Sequence, residues 1–449
     1  MHRYDERTAR IADAVFAYMR DRLALDPVPL DFGATADFVG RAPNLISAGG
    51  NDPDHVLAQY TDVLAPAVIS CDSPRFLAFI PAAPTKAALL FDMIVSCASV
   101  CGISWMESAG AVHAENQALR FLSDLAGLPA GAGGVFVSGG SAANLSALVV
   151  AREHARAAHP ECAGRLRFAV SDQTHSSVAN TMRIIDVEPM MVPAVDDHLT
   201  GAALASALDA DDDPGSVGAV VATAGTTNAG LVDDLAGIAQ VCAARGMWMH
   251  VDAAYGGAAL LAPSVRDRFG GIEHADSLVI DPHKWLFAPF DCAALLYRDS
   301  DFARRVHTQD ASYLDVIHDE TDGWNPSDYA YHLTRRARGL PLWFSLAVNG
   351  SDAYRDAIER VLATTRAAAE RIRALPHLEL VREPELSVVL FRVRGWGAEE
   401  YDAWSARLLR EQIAFVAPSR WHGAPVARLA FLHPETTIEI VDEILATTV

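Results

Sequence analysis

A lysine next to a histidine ends one apolar stretch of the sequence. Residues 281–285 read DPHKW and follow the apolar run 277–280. A lysine amine held at the end of a buried strand can form an imine with an aldehyde, so Lys284 is a candidate for covalent catalysis. Lysines in general are solvated surface residues, and the other motifs of the chain decide between these two interpretations.

An aspartate ends a second apolar stretch. Residues 247–257 read MWMHVDAAYGG, and Asp252 follows the last position of the apolar run. A charged carboxylate on a buried strand end needs a partner, and a protonated ring nitrogen is one that would also make a bound heterocycle a better electron acceptor. The alternative is an aspartate that caps the following turn.

Two turns carry groups that a phosphate could bind. Residues 138–144 read SGGSAAN between a predicted strand and a predicted helix, where small residues and helix-start N–H groups can approach an anion. Residues 223–228 read TAGTTN after another predicted strand, although threonines at such positions are also common turn or cap residues. The two turns together predict a phosphate cradle.

A histidine lies just beyond a further strand end. Residues 171–177 read SDQTHSS, and the imidazole of His175 could stack on a flat ring or deliver a proton. A histidine with a purely structural hydrogen bond is the alternative. The sequence alone does not separate these two roles.

In this order, the motifs resemble those of the group II pyridoxal-phosphate decarboxylases, which include aromatic-L-amino-acid, glutamate, histidine and diaminobutyrate decarboxylases. The resemblance extends over about residues 74–343. It implies that Lys284 is the Schiff-base lysine for pyridoxal 5′-phosphate and that Asp252 binds the pyridine nitrogen. It also implies that His175 and Ala254 lie against the two faces of the ring. The residues that it implies near the phosphate are Gly140, Ser141, Thr227 and His283.

The same resemblance implies decarboxylation of an aromatic or related L-amino acid to the amine and carbon dioxide. The residues expected to take part in catalysis are Lys284, His175, Asp252 and Tyr329. Family members that decarboxylate carry a loop tyrosine that returns a proton, and Tyr329 is its nearest match here, although Trp324 occupies the loop itself. Aldehyde synthesis, in which decarboxylation is combined with oxidative deamination, is the alternative. A protein that kept the fold and lost the chemistry is a less favoured one.

The substrate end of the site is expected to be largely apolar. Phe79, Ile103 and Trp105 are the residues that we expect to line it, and the resemblance implies that part of the pocket comes from the second subunit of a homodimer. Glu107 could recognise a polar or cationic end of the substrate, or it could simply be a charge at a helix start. The expected ligand is a small-molecule amino acid.

The elements that position these motifs alternate between strands and helices. From residue 134 onward, short apolar runs alternate with helical segments, a pattern typical of a mainly parallel sheet covered by helices. Ligands of such α/β sheets bind at the carboxyl ends of the strands, where the motifs fall. The resemblance implies a fold-type I transferase architecture. We expect a helical segment in residues 1–70, a large cofactor-binding domain in residues 71–345 and a small α+β domain in residues 346–449.

Composition narrows the classes of partner. A formal charge of -21 argues against binding to nucleic acid or to an anionic membrane. The 6 cysteines include no CxxC pair, which favours reduced thiols over disulfides or a zinc site. No apolar run is long enough to span a membrane, and the first twenty residues carry Arg3, Asp5, Glu6, Arg7 and Arg10 in place of an apolar signal core. A cytoplasmic protein is therefore expected, and no bound metal is expected because no Cys/His cluster has metal spacing.

Overall fold

A seven-stranded sheet forms the centre of the large part of the molecule. The computed structural model describes residues 2–33, 38–80, 83–158, 160, 166–314, 317 and 325–449. In this part of the chain the order of the large sheet is β1-β7-β6-β5-β4-β2-β3. Its strands are β1 (Gly133–Val137), β2 (Arg167–Val170), β3 (Glu188–Met191), β4 (Val217–Thr223), β5 (Trp248–Asp252), β6 (Ser277–Ile280) and β7 (Ala293–Tyr297). All run parallel except β7, which lies antiparallel between β1 and β6.

Helices cover both faces of this sheet, which explains why its central strands are apolar runs buried on both sides. The helices that precede it are α1 (Glu6–Leu23), α2 (Phe38–Arg41), α3 (Pro53–Gln59), α4 (Lys86–Cys97) and α5 (Trp105–Leu125). Those between and after its strands are α6 (Gly140–Ala158), α7 (Ser176–Ile184), α8 (Gly201–Asp209), α9 (Leu235–Arg245), α10 (Pro282–Trp285) and α11 (Ser300–His307).

A smaller antiparallel sheet follows near the C-terminus. Its strands are β8 (Leu378–Leu380), β9 (Val388–Val393), β10 (Ser419–Trp421) and β11 (Ala424–Ala430), in the order β10-β11-β9-β8. The helices around it are α12 (Leu340–Ala374), α13 (Ala398–Arg410) and α14 (Ile438–Ala446). Helix α12 is kinked at Gly350, which has φ +75° and so separates the helix into two segments.

Alternation along β5 separates its side chains into two sets. Met249 and Val251 belong to the apolar core on one face of the sheet, whereas Trp248 packs in the core on the other face with side chains of α6. Because side chains alternate along a strand, His250 and Asp252 share the face of Trp248. This face carries the polar groups of the site described below.

The predicted α/β architecture is confirmed, with a mainly parallel central sheet, a helical N-terminal segment and a small C-terminal sheet. The domain boundaries at residues 70 and 345 stay predictions. Trp324, with residues 315, 316 and 318–323 of the loop before Tyr329, lies outside the described residues. Within the described part of the chain, no helix is long and apolar enough to cross a membrane.

Candidate active site

A cavity of about 610 Å³ opens at the carboxyl ends of the large sheet's parallel strands. Its wall is built from turns and helix starts that directly follow β1, β2, β4, β5 and β6, as expected for a ligand site in this type of sheet. The residues of the sequence motifs that line it are Gly140, Ser141, His175, Thr227, Asp252, Ala254, His283 and Lys284. The structure therefore brings together all the residues that the sequence assigned to the cofactor.

Lys284 is held in the cavity by a buried aspartate. Its Nζ atom lies 3.0 Å from Oδ2 of Asp281, and this oxygen also accepts the backbone N–H of Gly140 at 3.2 Å. The Asp281 side chain is 2% exposed, and its other oxygen, Oδ1, is buried with no hydrogen-bond partner among the described residues. The site thus contains a carboxylate oxygen that a ligand or water could satisfy.

Asp252 presents a buried carboxylate that only neutral groups contact. Its Oδ2 accepts a hydrogen bond from Nδ2 of Asn144 at 3.0 Å, and its Oδ1 accepts the backbone N–H of Ala254 at 3.1 Å. Burial lowers the pKa of the nearby His250 to about 4, so this imidazole is neutral near pH 7. No lysine or arginine in the described chain forms an ion pair with Asp252, and a protonated ring nitrogen would supply the missing cation.

His175 lies at the start of α7 and lines the same cavity. Its Nδ1 accepts the backbone N–H of Ser177 at 3.2 Å and lies 2.8 Å from Oγ of the same serine. The ring is therefore attached through one nitrogen, while the second nitrogen, Nε2, takes no part in these bonds. Hence His175 combines a helix-cap contact with a place in the cavity wall.

Small residues leave the phosphate end of the cavity open. Gly139 has φ +152°, a conformation that side chains rarely adopt. A Cβ atom at Gly140 would lie 2.9 Å from Oδ2 of Asp281 and 3.4 Å from Cβ of Ala254. A side chain there would therefore crowd Asp281 and Ala254 in the cavity wall beside the first turn of α6. In that turn the N–H groups after Gly140 at positions 142 and 143 donate to the Gly139 carbonyl, so the N–H of Ser141 is the one left within the described chain for an anion.

His283 lies at the same end. Its Nδ1 accepts the backbone N–H of Cys292 at 3.1 Å, and burial lowers its pKa, so the neutral ring carries its proton on Nε2. That nitrogen is 3.7 Å from Oδ2 of Asp281. An N–H donor, a helix start and the hydroxyl groups of Ser141 and Thr227 thus surround the space that a phosphate would need.

These groups fit pyridoxal phosphate. The cavity offers one amine for an aldehyde, one unpaired carboxylate for a ring nitrogen and a set of N–H and O–H donors for a phosphate. Two buried polar atoms of the cavity wall, Oδ1 of Asp281 and Oγ1 of Thr223, have no hydrogen-bond partner in the described chain, which agrees with a polar ligand at this place.

The three residues expected to bind the substrate lie outside this cavity. Phe79 has φ +52° and its side chain is 63% exposed. Ile103 and Trp105 precede and begin α5: the carbonyl of Ile103 accepts the N–H of Ser327, and the N–H of Trp105 donates to Asn325 Oδ1. None of the three lines this cavity, and their role in substrate binding stays a prediction.

Glu107 forms a hydrogen-bonded helix start. Its backbone N–H donates to Oγ of Ser104 at 3.4 Å, and the Ser104 hydroxyl donates to Oε2 of Glu107 at 3.1 Å. This pairing of Ser104 and Glu107 satisfies a free N–H group of α5. The structure thus favours the helix-start interpretation of Glu107 over a substrate contact within one subunit.

Tyr329 does not line the cavity. Its ring lies in the hydrophobic core beside Tyr297, with 6.5 Å between ring centroids, and burial raises its pKa to about 12. Tyr331, two residues later, does line the cavity and is 52% exposed. The catalytic role of Tyr329 stays a prediction that its position does not favour, and Tyr331 is the tyrosine of this segment that reaches the cavity wall. A loop without periodicity does not fix the register of its side chains, so the sequence could not separate the two.

Three further residues contribute to the site without having been predicted. Asn144 and His250 lie within quoted motifs, and period-2 alternation along the strand could have placed His250 beside Asp252. Arg428 on β11 is 5% exposed and donates to the backbone carbonyls of Thr227 at 2.6 Å, Phe79 at 2.7 Å and Asn228 at 3.1 Å. No sequence signal connects an arginine with carbonyls so far away along the chain.

Comparisons with known proteins agree with this site. Residues 41–394 match the pyridoxal-dependent decarboxylase conserved domain. The chain is 36% identical over 373 residues to L-2,4-diaminobutyrate decarboxylase of Rhizobium meliloti (strain 1021), covering 80% of this chain and 74% of that protein. It is 30% identical over 416 residues to aromatic-L-amino-acid decarboxylase of Bacillus atrophaeus, covering 89% and 85%.

The fold agrees as well. The crystal structure of Oryza sativa TDC with PLP and tryptamine superposes with a TM-score of 0.89 and 28% sequence identity, covering 100% of this chain and 99% of that chain. The resemblance stated from the motifs is confirmed, and so is the expected cofactor, pyridoxal phosphate. The chain belongs to the pyridoxal-dependent decarboxylase family and is a pyridoxal-phosphate-dependent amino acid decarboxylase.

Proposed function

We propose that this enzyme binds pyridoxal phosphate through Lys284 and converts an aromatic or related L-amino acid to its amine and carbon dioxide. The observation that carries the proposal is the convergence of Lys284, Asp252 and His175 on one cavity. These residues come from three different strand ends, and only the folded sheet places them together. A purely structural role for each of them would not require a shared cavity.

The residues of the chain divide the chemistry among them. When bound, pyridoxal phosphate supplies an aldehyde for an amine and a ring that accepts the electron pair released at Cα. Lys284 would provide the amine that holds the cofactor. Asp252 would keep a proton on the ring nitrogen, and His175 and Ala254 would line the two sides of the ring. The pocket then selects the bond that breaks by orienting the substrate.

The phosphate contacts fix the position of the ring. We assign them to Gly140, Ser141, Thr227 and His283, which supply backbone N–H, hydroxyl and imidazole donors at one end of the cavity. The positive end of the α6 dipole adds to their attraction for an anion.

The substrate end is completed by a second subunit in this proposal. Leu90, Ile94 and Met106 on α4 and α5 are exposed large apolar side chains, as is Phe79. Helices α4 and α5 pack in one small hydrophobic cluster through Val95 and Ala114, and exposed apolar side chains on such helices are typical of a subunit interface. A homodimer across this face would let Phe79, Ile103 and Trp105 contribute to the partner's cavity.

Covalent labelling tests the attachment site. The chain contains only two lysines, Lys86 and Lys284, so borohydride reduction of the enzyme with pyridoxal phosphate has few possible targets. We expect the label on the peptide with Lys284, and we expect Lys284→Ala to lose both label and visible absorbance. Lys86→Arg is the matched control and should keep both. A label on Lys86, or none on the wild type, would contradict the proposal.

Product analysis tests the reaction. Candidate aromatic and diamino acids are incubated with the enzyme, and amine, aldehyde, carbon dioxide and hydrogen peroxide are measured in one reaction. Decarboxylation yields amine and carbon dioxide in equal amounts without peroxide. If aldehyde, peroxide and carbon dioxide form in equal amounts, the enzyme is instead the alternative, an aldehyde synthase. No product from any amino acid by a coloured, labelled protein would support the less favoured silent protein.

Light scattering tests the dimer. We expect the wild type to have twice the mass of one chain and Ile94→Asp to shift toward the monomer with loss of activity. Val195→Asp changes an exposed apolar residue near β3 and serves as the control. A wild-type protein that has the mass of one chain and full activity would contradict the shared pocket.

A further inference from the structure

We infer that Asn144 and His250 are positioning residues that orient the Asp252 carboxylate and fix the proton of His175 on Nε2. The inference rests on the proposed function of Asp252 and His175 and deepens it. Neither Asn144 nor His250 needs to contact substrate for this role. Both act through the residues that line the cavity.

A continuous chain of hydrogen bonds connects the sheet interior with the cavity. Nε1 of Trp248 donates to Oγ of Ser277 at 2.8 Å, and Ser277 Oγ lies 2.8 Å from Nδ1 of His250. Nε2 of His250 lies 2.9 Å from Oδ1 of Asn144. From Asn144 the chain divides, because Nδ2 donates both to Oδ2 of Asp252 and to Oγ of Ser177, at 3.0 Å each.

The second branch ends on His175. Oγ of Ser177 lies 2.8 Å from Nδ1 of His175. The side chains of Asn144 and His250 are buried, as is that of Ser277, so water does not compete for the bonds among these three residues. His250 and Ser277 are direct neighbours in the register of β5 and β6, and this pairing fixes their side chains relative to each other.

The direction of every proton follows from Asp252. A carboxylate only accepts, so Asn144 must turn its amide nitrogen toward Asp252 and its oxygen toward His250. His250 must then carry its proton on Nε2, and its free Nδ1 accepts the Ser277 hydroxyl proton. This agrees with the neutral state of His250, whose pKa is lowered by burial.

The same logic sets the state of His175. The backbone N–H of Ser177 donates to Nδ1 of His175, so a neutral His175 carries its proton on Nε2. Ser177 Oγ accepts from Asn144, and its hydroxyl proton can then donate to the same Nδ1 and reinforce this state. One amide thus supports two cavity groups: it holds the carboxylate assigned to the ring nitrogen and, through Ser177, supports the state in which the second histidine nitrogen is a donor.

Two readouts test this role. Solid-state NMR of cofactor-free protein with ¹⁵N-labelled histidine reports which nitrogen of His175 is protonated, with His175→Gln used for assignment. Titration with pyridoxal phosphate, followed by visible absorbance, gives the cofactor dissociation constant. We expect His250→Phe and Asn144→Ala to give mixed protonation of His175 and to weaken cofactor binding about 10-fold or more.

Conservative and matched variants separate positioning from general damage. His250→Gln keeps an N–H donor for Asn144 and should restore both readouts toward the wild type. His307 is also buried, and burial lowers its pKa. Its Nε2 lies at hydrogen-bond distance from the carbonyl of Ser146, which is on α6 like Asn144 but takes no part in the hydrogen bonds described above. His307→Phe should lower stability to a similar degree and leave both readouts unchanged.

Three outcomes would overturn the inference. They are wild-type signals for His175 in both His250→Phe and Asn144→Ala, unchanged cofactor binding in both variants, or equal effects from His307→Phe. If His250→Phe does not fold, Asn144→Ala decides, because alanine is compatible with the helix at that position. A wild type that binds no pyridoxal phosphate contradicts the proposed function, while the NMR result still decides this inference.

Discussion

Lys284 and Asp281 form an ion pair at the start of α10, with 3.0 Å between Nζ and Oδ2. The same oxygen accepts the N–H of Gly140, so one buried carboxylate lies between the amine and the helix start assigned to the phosphate. Before the cofactor binds, Asp281 balances the charge of Lys284. With the cofactor on Lys284, as proposed, the same negative charge would lie beside the place assigned to the phosphate.

Asp281→Asn should strengthen cofactor binding. The substitution keeps an oxygen for the N–H of Gly140 and removes the repulsion between a carboxylate and a phosphate, for which we expect about a 10-fold lower dissociation constant. Absorbance titration with pyridoxal phosphate measures it. The control is Asp291→Asn, which changes another cavity-lining aspartate that pairs with Arg338. Weaker or equal binding by Asp281→Asn would show that its charge does not oppose the phosphate.

Tyr331→Phe should change the products of the reaction. The Tyr331 hydroxyl belongs to a cavity-lining side chain, and loss of a positioned proton donor typically lowers a rate by about 100-fold or more. We expect less amine and a larger share of aldehyde and peroxide, measured in the same assay. Tyr329→Phe alters a core residue and should leave the products unchanged. An effect of Tyr329→Phe alone would return the catalytic role to that residue.

The stability of the protein should depend on pH through His250. Burial lowers its pKa from 6.5 to about 4, so between these values the unfolded chain binds a proton that the folded chain excludes. The free energy of unfolding therefore falls as pH decreases through this range. His250→Gln cannot titrate, and we expect it to remove about 3 kcal/mol of this decrease.

The pH dependence of wild type must be compared with that of His250→Gln, because other buried groups also titrate in this range. Burial raises the pKa of Asp233 to about 6, which contributes with the opposite sign because the folded chain then binds the extra proton. Urea unfolding of wild type and His250→Gln from about pH 7 to about pH 4 isolates His250, since Asp233 contributes equally to both. A difference between the two proteins that does not vary with pH would exclude a neutral, buried His250.

Arg335 and Glu115 form a buried ion pair, and we expect that removing one partner destabilises the protein more than removing both. Both nitrogens of the guanidinium fork lie 2.8 Å from the Glu115 oxygens, and Oε1 also accepts the N–H of Gly339. Glu115→Leu leaves a buried cation unpaired and should lower the free energy of unfolding by about 3–5 kcal/mol. Adding Arg335→Met should recover part of this loss in urea unfolding. Additive losses would show that the two charges do not depend on each other.

The sequence predicted the centre of the site well for a physical reason. Strands buried on both faces appear as apolar runs, and the turns after them carry the polar motifs, so Lys284, Asp252 and His175 were expected at one edge of the sheet. The structure brings them into one cavity. The residues that escaped prediction depend on tertiary geometry: Tyr331 lies in an irregular segment, and Arg428 bonds carbonyls up to 349 positions away.

The substrate side could not be predicted from one chain. Phe79, Ile103 and Trp105 were chosen by the resemblance, and none of them lines the cavity described above. In the proposed homodimer, the side chains that contact the substrate depend on how two copies meet, a property that leaves no periodic pattern in the sequence. Hydrophobic periodicity reports burial inside a subunit, and interface positions simply remain exposed apolar residues.

The three hydrogen bonds of Arg428 to backbone carbonyls connect the C-terminal sheet to the part of the molecule that contains the cavity. Its guanidinium joins β11 to the backbone at Thr227 and Phe79. The last strands therefore stabilise the cavity wall at Thr227, which lies about 200 positions earlier in the sequence. A recombinant fragment that stops after residue 345 would carry every residue assigned to the cofactor and would still lack the hydrogen bonds of Arg428. Chimeras that exchange the terminal region between relatives should therefore be cut so that Arg428 and its carbonyl partners come from the same parent.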